Sequence, residues 1–206
     1  MKATPSLSRA FGSDFERLIA DFSVKQGLLP EISAIDSRRF LSRSILPHVQ
    51  RLSSLFNRLD VTPGEKQRQE KLRQETDRKI SPYWKRSSHP ENLRLAYFLY
   101  FMPCNLFRMA SIWGELHRLG FRWTHKSLNG IEFGAGPATG ICGIAAGEAD
   151  GSVGLPKQGS WALIEQDKAM LELGAQWAKS YFSYLKMDDW EIIVYERVEV
   201  RPVWPE

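Results

Sequence analysis

From about residue 128 the chain follows one order, strand, glycine turn, helix, strand, helix, strand, and few folds accommodate it. Leu128–Phe133 has the length and apolar content of a strand and runs into Gly134-Ala135-Gly136-Pro137-Ala138-Thr139-Gly140. A helix of small residues extends to about Ala146, and a glycine-rich loop fills 148–160. Trp161–Glu165 is a second strand. Asp167 is placed to cap a helix from Lys168 to about Leu185, with Met170, Leu171, Gly174, Trp177, Ala178 and Tyr181 on one face. Trp190–Tyr195 is a third strand. A β-α-β-α-β order implies right-handed crossovers and a parallel sheet, so the fold class is α/β.

The chain ahead of this region is helical in pattern and basic in charge. Phe15, Leu18, Ile19 and Phe22 recur at helical spacing over 14–29, with Ser13 or Asp14 as the cap. A second helix is predicted over 32–59, kinked or divided at Pro47. Residues 65–80 carry few apolar anchors and read as a solvated helix with Lys66/Glu70, Arg73/Asp77 and Glu75/Lys79 four apart. Residues 91–119 are the most apolar helical stretch, expected to be broken by Pro103 and closed by Gly120. These features divide the chain into a basic helical region, 1–90, and an incomplete Rossmann-like domain with its leading helices, 91–206.

Charge is unevenly spread. Residues 1–130 hold 22 Lys/Arg against 12 Asp/Glu, whereas 131–206 hold 6 against 12. Such asymmetry points to a polyanion as the partner of the first part. Two cysteines, Cys104 and Cys142, cannot supply a four-thiolate zinc or iron–sulfur site, and reduced structural thiols are expected. No metal site, membrane span or apolar leader is predicted, since no run approaches the ~20 apolar residues a span needs.

The chemistry concentrates at 131–140, I-E-F-G-A-G-P-A-T-G. A glycine turn lets backbone approach a ligand closely, and the helix that follows adds positive potential at its start. Glu132 places an acid inside the strand just before the turn. A pyrophosphate would be repelled there, whereas a ligand carrying ammonium and sulfonium groups would be favoured. Glu165, at the end of the second strand, is positioned to accept hydrogen bonds from two ribose hydroxyls. It lies 31 residues beyond Gly134, more than the ~20 of the dinucleotide fingerprint. The third glycine of that fingerprint would fall at Thr139.

Glu132-Phe133-Gly134-Ala135-Gly136 resembles the first motif of class I S-adenosylmethionine-dependent methyltransferases, and Ile164–Leu171 resembles their second-strand motif. More narrowly, residues 91–185 are similar to the mitochondrial small-ribosomal-subunit methyltransferase-like family and its bacterial relatives. The similarity rests on Tyr97–Pro103 ahead of an amphipathic helix, on the Gly-Ala-Gly-Pro-x-Thr turn, and on the Asp-x-x-Met-Leu opening of the next helix. The resemblance implies a Rossmann-like methyltransferase half-sheet preceded by a basic all-α region, with S-adenosylmethionine as cofactor. Gly134, Ala135, Gly136 and Pro137 would bracket its methionine portion, Glu132 would lie near its ammonium, Glu165 would hold the ribose, and Gln166 would lie by the adenine. It also implies ribosomal RNA or the small ribosomal subunit as partner, and a cytoplasmic location. The chain departs from the family in three respects. Ala138 stands at the turn's usual last glycine, the late cluster-ligating cysteines do not occur, and three strands appear where a complete domain has about seven. No catalytic residue is therefore assigned, and a partner chain is expected to complete the sheet. A non-catalytic assembly module, and a small-molecule or protein methyltransferase, stand as the alternatives.

Overall fold

The structure is a computed structural model and describes residues 11, 13–29, 45–56, 90–149, 151 and 153–195. Two compact units emerge, one made of Met1–Ala34 with Met102–Glu206, the other of Ile35–Phe101. The division thus falls elsewhere than at residue 90. The first helix, α1 (Ser13–Lys25), belongs with the sheet because its apolar face meets the helix before the last strand. The helix expected over 65–80, and the 30–44 part of the second, lie outside the described residues.

In the smaller unit, α2 (Leu46–Phe56) packs on α3 (Pro90–Ala96) and on the π-helical turn Tyr97–Phe101. Val49, Leu52, Leu93 and Phe98 are buried. Pro47 falls in the first turn of α2, where its missing N–H costs nothing. Pro103 does not break the run. The π-helical turn leads directly into α4 (Met102–Arg118), and Pro103 is the second residue of that helix. A proline ring collides with the carbonyl four residues back in a regular α-helix, and one widened turn ahead of it gives the ring room. Gly120 follows with φ +103°, closing the helix as expected.

The larger unit is α/β. β1 (Ser127–Phe133), β2 (Gln158–Ile164) and β3 (Trp190–Tyr195) form a parallel sheet in the order β1-β2-β3, with α5 (Thr139–Ala149) and α6 (Lys168–Leu185) as the crossovers. Register pairs Ile131 with Ala162 and Ala162 with Ile193. One face of the sheet is packed, with Leu163, Trp190 and Ile192 buried. α6 covers β2 and β3, while α4 lies along α5. At that helix crossing Gly143 is required, because a Cβ there would fall 2.4 Å from the Cβ of Met109 and 3.0 Å from the Leu106 carbonyl oxygen.

An aromatic cluster joins the ends of the chain. Phe15 and Phe22 meet Trp177 edge-on at 6.1 and 5.4 Å, and Trp177 stacks on Tyr181 at 5.3 Å. Both Trp177 and Tyr181 are fully buried. Aromatic pairs in these geometries each add about 0.5–1.5 kcal/mol beyond their burial. Among the described residues no helix is long and apolar enough to cross a membrane.

Candidate functional site

The corner between β1 and α5 is built from backbone conformations that few residues adopt. Gly134 and Gly136 have φ of +63° and +51°, and Ala138 has +58°. The left-handed region costs a residue with a Cβ about 1–2 kcal/mol, so Ala138 holds strained backbone where glycine would not. The Ala135 N–H donates to the Ile164 carbonyl at 3.0 Å, tying the turn to the end of β2. The Ala138 N–H donates to Ala135, and the Ala138 carbonyl accepts the first helical bond of α5 from Cys142. α6 supports the turn from below. A Cβ on Gly174 would fall 2.5 Å from the Gly136 carbonyl oxygen and 2.9 Å from Pro137 Cα, so only glycine lets the helix approach this closely.

Glu165 reaches this corner from the tip of β2. Its Oε2 accepts from the Gly136 N–H at 3.0 Å, and its Oε1 accepts from the Gln166 and Asp167 N–H groups at 2.8 and 3.0 Å. Three of the roughly four lone-pair positions of a carboxylate are thereby engaged. Asp167, almost fully buried, caps α6 as expected, accepting the Met170 N–H at 2.9 Å.

Glu132 faces the other way. Its two oxygens accept the N–H groups of Gly140 and Ile141 at 2.7 and 3.1 Å, so the strand carboxylate sits on the positive end of α5. Gly140 is required here, since its Cβ would lie 2.8 Å from the carboxylate carbon. Burial nonetheless pushes the Glu132 carboxyl above its ordinary value of 4.5, with the two N–H groups pulling against that rise. The same burial raises the Cys142 thiol well above its usual range, and the charge of Glu132 adds to the effect. Cys142 is buried and Cys104 exposed, and both are free thiols.

The structure thus gathers Gly134, Ala135, Gly136, Pro137, Glu165 and Gln166 at one corner and turns Glu132 toward the start of α5. Ala135, Gly136, Pro137 and Ala138 are buried, whereas Gly134, Gln166 and the preceding Phe133 are exposed and form the lip. The Thr139 hydroxyl, at the first position of α5, is buried without a hydrogen-bond partner. The supporting roles of Gly140 and Gly174 escaped the sequence reading. Their signal is a small residue placed opposite another element's backbone or carboxylate, which spacing alone does not reveal. A cavity of about 570 Å³, lined by Lys179, Asp188, Asp189 and Glu191 among others, lies at the opposite end of β3 and not at this corner. Among the described residues no group of three His, Cys, Asp or Glu could hold a metal ion.

No protein-family model matches the chain, and no curated protein or solved structure is a match either.

Proposed function

We propose that this protein is an S-adenosylmethionine-binding, methyltransferase-like protein that acts on or near ribosomal RNA in small-subunit assembly. The observation that carries the reading is Glu165 at the tip of β2, bonded to the Gly136 amide across the strand-to-helix corner. A carboxylate beside a glycine turn suits ribose hydroxyls. The local charge suits the same ligand. Residues 131–156 contain no Lys or Arg, while Glu132 and Glu165 flank the turn. A pyrophosphate would meet only repulsion there, whereas a nucleoside with a cationic centre would not. These features fit S-adenosylmethionine, which when bound supplies an electrophilic methyl group.

In this reading Gly134, Ala135, Gly136 and Pro137 hold the methionine portion, Glu165 the ribose and Gln166 the adenine edge. Glu132 acts at one remove, fixing the start of α5 and leaving its outer lone pairs to the ligand ammonium. Methyl transfer gains chiefly from positioning donor and acceptor in line. The basic residues before 131 would meet RNA phosphate, and the work would be cytoplasmic.

A second reading, a non-catalytic assembly module that keeps the nucleoside fold, is favoured by one observation. The oxygens of Glu132 and three of Glu165's acceptor positions already serve backbone N–H groups. Titration calorimetry with S-adenosylmethionine tests the shared premise, and transfer of labelled methyl to small-subunit RNA separates the two readings. Glu165→Gln, which keeps one acceptor oxygen, is expected to weaken cofactor binding about tenfold with unchanged circular dichroism. Binding as tight as that of the parent chain would remove Glu165 from the ribose.

A further inference from the structure

The sheet presents one face that nothing described covers. Parallel register puts Ile131, Ala162 and Ile193 on it, and likewise Phe133, Ile164 and Tyr195. Ile131 is 59% exposed, Phe133 68% and Tyr195 47%. The same face turns polar toward the start of the strands, where the Ser160 hydroxyl donates to Asn129 Oδ1 at 2.9 Å. Among the described residues β1 also pairs only with β2, so its other edge offers a row of free N–H and C=O groups. Parallel sheets occur almost only with both faces covered.

We propose that a different polypeptide docks here, adding a strand parallel to β1 and laying an amphipathic helix across Ile131, Phe133 and Tyr195. Symmetry rules out a second copy. A two-fold axis perpendicular to the sheet pairs β1 with β1 antiparallel and leaves both apolar faces bare. A two-fold axis along the strands sets identical residues opposite each other, so that amide meets amide and no parallel ladder forms. Face-to-face stacking covers the apolar residues but leaves both edges open. Area points the same way. The three exposed side chains offer roughly 350 Å² together, taking about 200 Å² for each when free. A stable interface needs about 800 Å² per partner. Stacking alone falls short, whereas a strand on the seven-residue β1 edge together with a helix on the face reaches that size. The incoming strand ends beside Gly134, so the partner would also wall one side of the corner. The docking itself holds whether or not a nucleoside binds there.

The test is photo-crosslinking in the native host. p-Benzoylphenylalanine replaces Asn129, Ile131 or Phe133 in turn, and Glu172 on the exposed side of α6 serves as the background control. Same-face neighbours on an added strand lie about 5 Å away, within reach of the probe. The expected result is adducts from all three positions on one foreign polypeptide, advancing along it in the same direction as β1. Phe133→Lys is then expected to lower recovery of that polypeptide at least tenfold. Adducts to a second copy, to another part of this chain or to nucleic acid would each overturn the proposal. So would adducts in reverse order, no adduct above the control, or undiminished recovery with Phe133→Lys.

Discussion

Ala138 occupies a position that glycine would fill more comfortably, with φ at +58° and its methyl fully buried. Replacing it with glycine relieves about 1–2 kcal/mol of left-handed strain. The unfolded chain gains freedom worth about 0.4–1 kcal/mol, and a buried methyl worth about 0.8 kcal/mol is lost. These nearly cancel, so Ala138→Gly should shift stability by less than about 0.5 kcal/mol. Ala145→Gly, within regular helix, should cost about 2 kcal/mol. Urea melts of the two variants compare them directly, and equal losses would show that the turn does not need the left-handed residue. Glu132 gives a pH signature. Its folded pKa is raised by burial, so the stability its protonated form adds is fully present below 4.5 and is lost as pH rises through the folded value. The parent chain should therefore lose stability relative to Glu132→Gln as pH climbs from 4 to 7, and an opposite slope in the urea midpoints would contradict the burial. The sequence marked both residues, Ala138 as a departure and Glu132 as an acid in a strand. It did not reveal that Glu132 anchors a helix, because that bond depends on how α5 turns back over β1.

At the scale of elements, α6 is more than a crossover. Its Gly174 lies against the backbone of the glycine turn, so one helix fixes both the sheet and the corner. Gly174→Ala forces a Cβ to within 2.5 Å of a carbonyl oxygen that no rotamer change can move. Overpacking of this kind costs about 1–3 kcal/mol. The expected outcome is a loss of at least 2 kcal/mol in urea unfolding, together with weaker S-adenosylmethionine binding by calorimetry. Unchanged values in both would mean the helix stands farther off. Strand and helix types from 127 to 195 were legible because apolar runs, a glycine turn and a capping Asp punctuate them. The course of the chain through Pro103 was not, since proline signals a break and only the three-dimensional path shows a widened turn taking it up. Gly174 appeared in the sequence as one member of an apolar stripe, and nothing local announced that its missing Cβ mattered.

At the scale of the whole molecule, charge and packing divide the chain differently. The positive excess fills residues 1–130 and the negative excess the remainder. If the basic part meets RNA phosphate, log affinity for a small-subunit RNA duplex should fall steeply with log salt between 50 and 200 mM, by about 0.9 per phosphate neutralised. A flat dependence would detach the chain from RNA while leaving the nucleoside corner untouched. Composition made that asymmetry visible, but it did not show that α1, within the basic stretch, belongs to the sheet-bearing unit. The rings of α1 rest on Trp177 and Tyr181, which are translated some 160 residues later. At about 5–20 residues per second, Phe15 and Phe22 leave the ribosome roughly 10–30 seconds before their seat has been made. During synthesis the first helix must keep its greasy side from straying, so a growing chain of this protein is a natural client for a holding chaperone.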